Sequence, residues 1–304
     1  MTHPTLSGCG TALVTPFTSD GEVDERALRT LVEWQIAEGI HFLVPCGSTG
    51  EAATLSADEQ RRVVEITVEV AKGRVPIVAG AGSNDTRKAI ANSKMMKDAG
   101  ATHLLHVSPM YSKPPQRGII AHFRAIADAT DLPIVLYNVP GRTASNMDAR
   151  TTLALAEHEN IVAVKEASGN LAQVDEILRG RREGFAVFSG DDSLTLAMMA
   201  AGAEGIISVV SNAIPGPMAR LAELCRDGAS DEARDLHTTL GAWMATAFIE
   251  SNPIPVKAAL AMMGRIHNVL RLPLVPLAEK HSEAVRAALV TAGAMERRET
   301  VARA

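Results

Sequence analysis

Tryptophan, tyrosine and phenylalanine together make up only 3% of this 304-residue chain, and only two tyrosines occur, Tyr111 and Tyr137. A phenol is therefore a scarce group here, and its placement carries information. Cysteine is equally sparse. Cys9, Cys46 and Cys225 are odd in number, far apart and without a CxxC pair, which excludes a disulfide framework and reads as reduced thiols in a cytoplasmic protein. No apolar stretch approaches the ~20 residues that span a bilayer. The opening Met1-Thr2-His3-Pro4-Thr5 lacks the basic start and apolar segment of a secretory leader. Neither sign of charge dominates: 30 Lys and Arg stand against 35 Asp and Glu, interspersed, for a net −5. That balance excludes a nucleic-acid or anionic-membrane surface. The nine histidines are scattered without ligand spacing, so no metal is expected, and His103 and His106 fall inside a strand run and read as structural. No GxGxxG follows the first strand, so a dinucleotide cofactor has no support, and no motif recurs at a fixed period as a solenoid requires.

What the chain does have is alternation. Apolar, β-prone runs at 12–14, 42–44, 76–79, 103–107, 133–137, 162–165, 186–189 and 205–210 give eight candidate strands. Between them lie segments with apolar residues at helical spacing, such as Leu28, Leu31, Val32 and Ile36, or Val63, Val64, Ile66, Thr67 and Val70. Asp24 and Ser56 are placed to cap helix starts, and Gly39, Gly73 and Gly100 to end them. The strands are continuously apolar rather than alternating, which suits a parallel sheet covered by helices. Eight βα units favour an α/β fold of the closed (β/α)8 TIM-barrel type over an open sheet. After Val210 the pattern is purely helical, at 217–226, 232–250, 255–263 and 276–290. The expected organisation is a barrel over residues 1–230 and a C-terminal helical extension over 231–304.

In such a barrel the chemistry sits at the C-terminal ends of the strands. There, after Ile161-Val162-Ala163-Val164, stands Lys165. A lysine on a buried strand either snorkels to water or loses its proton, and a desolvated amine is a nucleophile toward carbonyls. The turn Cys46-Gly47-Ser48-Thr49-Gly50-Glu51 offers backbone N–H groups and two hydroxyls to a carboxylate, though it also reads as an ordinary capped βα turn. Strand five ends in Tyr137, followed by Arg142 on a Pro-Gly turn, which can grip a carboxylate or form a surface ion pair. Tyr111 sits in a proline-stiffened loop after strand four. Asp191 and Asp192 follow strand seven and read as helix caps. These parts fit one reaction type, in which a lysine amine forms an imine with an α-keto acid while a phenol or hydroxyl moves protons. The amine's pKa has to fall by roughly 3 units to be neutral near pH 7.

The motifs Gly47-Ser48-Thr49-Gly50-Glu51, Leu136-Tyr137-Asn138-Val139-Pro140-Gly141-Arg142-Thr143, Val164-Lys165-Glu166-Ala167-Ser168-Gly169-Asn170 and Asn252-Pro253-Ile254-Pro255-Val256-Lys257 resemble the dihydrodipicolinate synthase and N-acetylneuraminate lyase family of class I pyruvate aldolases. The resemblance runs from Gly10 to Pro276. It implies that Lys165 forms a Schiff base with pyruvate, that Tyr137 and Ser48 relay protons, and that Ser48 and Thr49 hold the pyruvate carboxylate. It further implies that Tyr111 enters the relay from a neighbouring subunit of a homo-oligomer, dimer or tetramer, and that Gly190 and Ile207 line the pocket through their backbones. Arg142 matches the synthase branch, where an arginine takes the carboxylate of L-aspartate-4-semialdehyde. The alternative is a related aldolase acting on a sugar acid or hydroxy-oxo acid, since Ser48 stands where the synthases usually carry threonine. Met110 replaces an interface tyrosine. Ala57, Gln60 and Lys88 stand where lysine-inhibited members carry histidines and a glutamate, so strong feedback by lysine is not expected. Lys257 is expected to be structural and remote from the strand-end motifs.

Overall fold

β-Prone runs and amphipathic helices alternate through the first three-quarters of the chain, and the computed structural model, which describes residues 6–296, folds them as βα units. Residues 1–5 and 297–304, the latter the end of the expected extension, lie outside the described residues. The strands are β1 (Gly8–Ala12), β2 (Phe42–Val44), β3 (Val78–Gly80), β4 (His103–Val107), β5 (Ile134–Asn138), β6 (Ile161–Glu166), β7 (Ala186–Ser189) and β8 (Gly205–Ser208). The helices around them are α1 (Glu25–Ala37), α2 (Ala57–Ala71), α3 (Thr86–Asp98), α4 (Gln116–Ala127), α5 (Pro140–Thr143), α6 (Ala149–Ala156), α7 (Leu171–Gly180), α8 (Thr195–Ala200) and α9 (Pro215–Arg226). Three more form the extension: α10 (Ser230–Thr246), α11 (Ile254–Met262) and α12 (Ser282–Thr291).

All strand pairs are parallel, in the order β2-β1-β8-β7-β6-β5-β4-β3. A lone bridge, Leu43 to Ile77, joins the two ends and closes the barrel. Three strands differ from the sequence expectation by two residues or more at one end or both, β3 beginning at Val78 rather than 76. β1 occupies 8–12 instead of 12–14, and β8 stops at Ser208 rather than Val210. The cause at β1 is steric: a Cβ on Gly10 would lie 2.0 Å from the Phe42 ring, so this staves-together packing demands glycines that strand propensity disfavours.

Alternation along each strand sorts side chains into two layers. Leu104, Leu136 and Val164 face the helices, while Leu105, Val135 and Ala163 fill the barrel interior with Phe42 and Phe188. The same parity, continued two residues on, turns Tyr137 and Lys165 inward at the strand ends. Caps behave as the sequence proposes: Asp24 accepts from the Ala27 N–H, and Ser56 and Glu59 form a reciprocal capping box. Gly39, Gly73 and Gly100 all have left-handed φ at helix ends. The extension is anchored by Trp243 on α10, fully buried, whose Nε1–H donates to the Val210 carbonyl. No helix among the described residues is long and apolar enough to cross a membrane.

Candidate active site

Residue register brings the two chemically unusual side chains together. Tyr137 and Lys165 are direct partners on β5 and β6, and the Lys165 Nζ lies 4.4 Å from the Tyr137 ring centroid. Lys165 is only 4% exposed, so the snorkelling alternative fails. Burial draws its pKa down from 10.5 to about 8, opposed by the Asp192 carboxylate and assisted by Arg142. That is less than the fall anticipated from sequence, and it leaves roughly a tenth of the amine neutral at pH 7. Burial pushes the Tyr137 phenol up to about 12, with Arg142 pulling the other way, so it is a protonated donor in the resting site.

Asp192 corrects the capping expectation. Asp191 does cap, accepting from the Ser193 N–H, but Asp192 is buried and accepts from the Ser208 hydroxyl and the Val209 and Val210 N–H groups. Burial raises its pKa to about 6. It is the carboxylate that restrains the fall at Lys165. Among the described residues, no three His, Cys, Asp or Glu side chains gather as metal ligands.

Lys165 and Tyr137 open into a cavity of about 650 Å³ at the strand ends, shared with Ser48, Thr49, Arg142 and Gly190. Ser48 and Thr49 form a single 3-10 turn just past β2, and Thr15 and Asn252 hold it by hydrogen bonds to the Gly50 carbonyl and the Thr49 hydroxyl. Arg142 rides on the short α5 and donates to the Asn252 carbonyl at 3.3 Å. Gly190 is glycine for a spatial reason, because a Cβ there would sit 3.0 Å from the Lys165 Cε and 2.7 Å from the Ala167 Cβ.

Two of the expected residues stand apart. Ile207 is fully buried in the barrel interior and its side chain does not reach the cavity wall. Tyr111 is 89% exposed, held at φ 73° on the loop after β4, and lines no part of this cavity. Sequence reasoning also missed a wall: Phe248 through Asn252, after α10, closes one side. Only the Asn252-Pro253 pair hinted at it. Lys257, expected to be remote from the strand-end motifs, instead donates to Glu51 of the Ser48–Glu51 turn at 2.6 Å.

Setting a desolvated lysine beside a phenol at the mouth of a parallel barrel gives the chain the parts of an imine-forming lyase. The chain belongs to the dihydrodipicolinate synthetase family, whose model matches residues 5–292. It is 51% identical over 292 residues to the 4-hydroxy-tetrahydrodipicolinate synthase of Koribacter versatilis, covering 96% of this chain and 97% of that one. Among solved structures, it resembles the chloride-inhibited dihydrodipicolinate synthase of Acinetobacter baumannii complexed with pyruvate (TM-score 0.94, 43% identity, covering 96% of this chain and all of that one). It resembles equally the synthase of Cyanidioschyzon merolae with lysine bound (TM-score 0.93, 41% identity, covering 97% and 100%).

Proposed function

We propose that the protein is a 4-hydroxy-tetrahydrodipicolinate synthase that condenses pyruvate with L-aspartate-4-semialdehyde. The observation that carries this reading is Lys165, a fully desolvated amine aligned with Tyr137 at the mouth of the barrel. The pyruvate complex of the Acinetobacter baumannii relative supports the keto acid, and Arg142, matching the synthase branch, supports the semialdehyde.

The neutral Lys165 amine attacks C2 of pyruvate, and the carbonyl oxygen leaves as water after taking up protons. Tyr137 is the donor in reach, and Ser48 lines the same cavity to pass protons onward. The Ser48–Thr49 turn holds the keto-acid carboxylate through its hydroxyls and N–H groups. Loss of a C3 proton to the Tyr137–Ser48 relay gives the enamine, which bonds to the aldehyde carbon as the aldehyde oxygen takes up a proton, while Arg142 takes the carboxylate of the second substrate. The amine of that substrate then displaces Lys165 from C2, closing the ring and freeing the lysine. Tyr111, exposed on its own subunit, completes the relay of a neighbouring one, which makes a homo-oligomer the working unit.

Reductive trapping with labelled pyruvate is expected to mark Lys165 alone. An unlabelled Lys165 would sink the proposal. Steady-state assays should then show turnover with aspartate semialdehyde and none with N-acetylneuraminate or 2-keto-3-deoxygluconate. Gln60, Lys88 and Met110 line a second cavity of about 560 Å³ that shares Ser48, Tyr137 and Arg142 with the first, while Ala57 lies outside its wall. None of these four supplies a carboxylate for a ligand ammonium, and the Glu51 carboxylate on that wall is already taken by Lys257 and the Arg271 N–H, so L-lysine up to millimolar levels is expected to leave the initial rate unchanged.

A further inference from the structure

The C-terminal extension reaches back to the turn that follows β2. Lys257 on α11 is fully buried, as is the side chain of its partner Glu51, and the two meet at 2.6 Å. The second Glu51 oxygen accepts from the Arg271 N–H at 3.1 Å. The Arg271 guanidinium binds Glu59 on α2 and the carbonyls of Thr54 and Gly21. The Phe17 ring lies against both cations, 4.1 Å from the Lys257 Nζ and 4.6 Å from the Arg271 guanidinium carbon.

Glu51 is the hinge of this arrangement. It adopts φ 53°, a left-handed conformation that non-glycine residues hold only when their surroundings fix it, and its N–H closes the turn onto the Ser48 carbonyl. Asn252 adds a second strap. Its Nδ2 donates to the Thr49 Oγ1 at 2.9 Å, which leaves the Thr49 proton available to donate to an anion. Lys257 lines neither cavity, and Glu51 lines only the second, which shares Ser48, Tyr137 and Arg142 with the cavity around Lys165. Nor does stability account for them well, since the desolvation cost of a buried ion pair largely offsets its attraction.

We propose that the Glu51–Lys257 pair is a positioning device for the keto-acid carboxylate: it holds the Ser48–Thr49 turn in its binding geometry, so that pyruvate affinity depends on the C-terminal extension. The proposal rests on the function given above for the identity of the ligand. Neither residue touches substrate, and both act through the turn.

The test uses the full-length protein in two variants, because Lys257→Met alone strands a buried carboxylate and can prevent folding. Glu51→Gln leaves Lys257 able to shed its proton, and Glu51→Gln/Lys257→Met removes both charges. The readouts are the pyruvate concentration that half-saturates reductive trapping on Lys165, and the steady-state constants for both substrates. The expected result is a rise of about tenfold or more in half-saturating pyruvate, with kcat within about threefold and the aldehyde KM unchanged. Asn252→Ala should move the same constant in the same direction. Half-saturation within about twofold of wild type in either charge variant would overturn the proposal, as would a fall in kcat with pyruvate affinity intact. Absence of labelling in the wild-type protein would overturn the proposed function instead, so the two failures are distinct.

Discussion

At Lys165 a buried amine has been kept at a cost to the fold. Its folded pKa of about 8 lies below the unfolded 10.5, so between those values the unfolded chain binds more protons and stability rises with pH. Below pH 8 the folded state carries the whole cost of a buried ammonium. Lys165→Met should therefore abolish pyruvate labelling, lower turnover by ~10³-fold or more, and raise stability at pH 7 by about 1–3 kcal/mol in denaturant titrations. Imine formation with pyruvate should speed up as pH rises through about 8 and then level off. Asp192 favours the charged amine, so Asp192→Asn should shift that midpoint to lower pH; an unmoved midpoint would show that the carboxylate does not govern the lysine. Lys165 was legible in the sequence because a cation broke an apolar strand. Asp192 and Lys257 were not, because nothing local marks a partner: Ser208 and Glu51 lie 16 and 206 residues away along the chain.

Secondary structure was legible wherever local chemistry decides it. Asp24, Ser56 and the three terminal glycines place the helix ends as the structure has them. Ser56→Ala breaks the reciprocal box with Glu59 and should cost about 1 kcal/mol, a fall of roughly 2 °C in Tm for a chain of this size. β1 was misplaced for the opposite reason. Its glycines look like breakers in one dimension, yet the rings of His41 against Gly8 and Phe42 against Gly10 leave no space for anything larger. The helical pattern likewise overruns the helices of the extension, so the gaps are wider than expected: α10 ends at Thr246 rather than 250, and α12 begins at Ser282 rather than 276. The first gap, from Ala247 to Pro253, supplies the unforeseen wall of the cavity.

For the molecule as a whole, the exposed Tyr111 gives a test of assembly. If it works in a neighbour's site, Tyr111→Phe and Lys165→Ala chains, each inactive alone, should recover about a quarter of wild-type activity when co-assembled as dimers. Recovery of none would place Tyr111 outside the relay. The closure of the barrel has its own consequence. Five residues pair β5 with β6, whereas β2 and β3 meet at a single bridge. The circle of strands thus has a thin seam, and the Ser48–Thr49 turn hangs from one of its lips. Deuterium uptake should enter there first, and pyruvate, by gripping that turn, should slow the exchange of the Leu43 and Gly80 amides that bond across it.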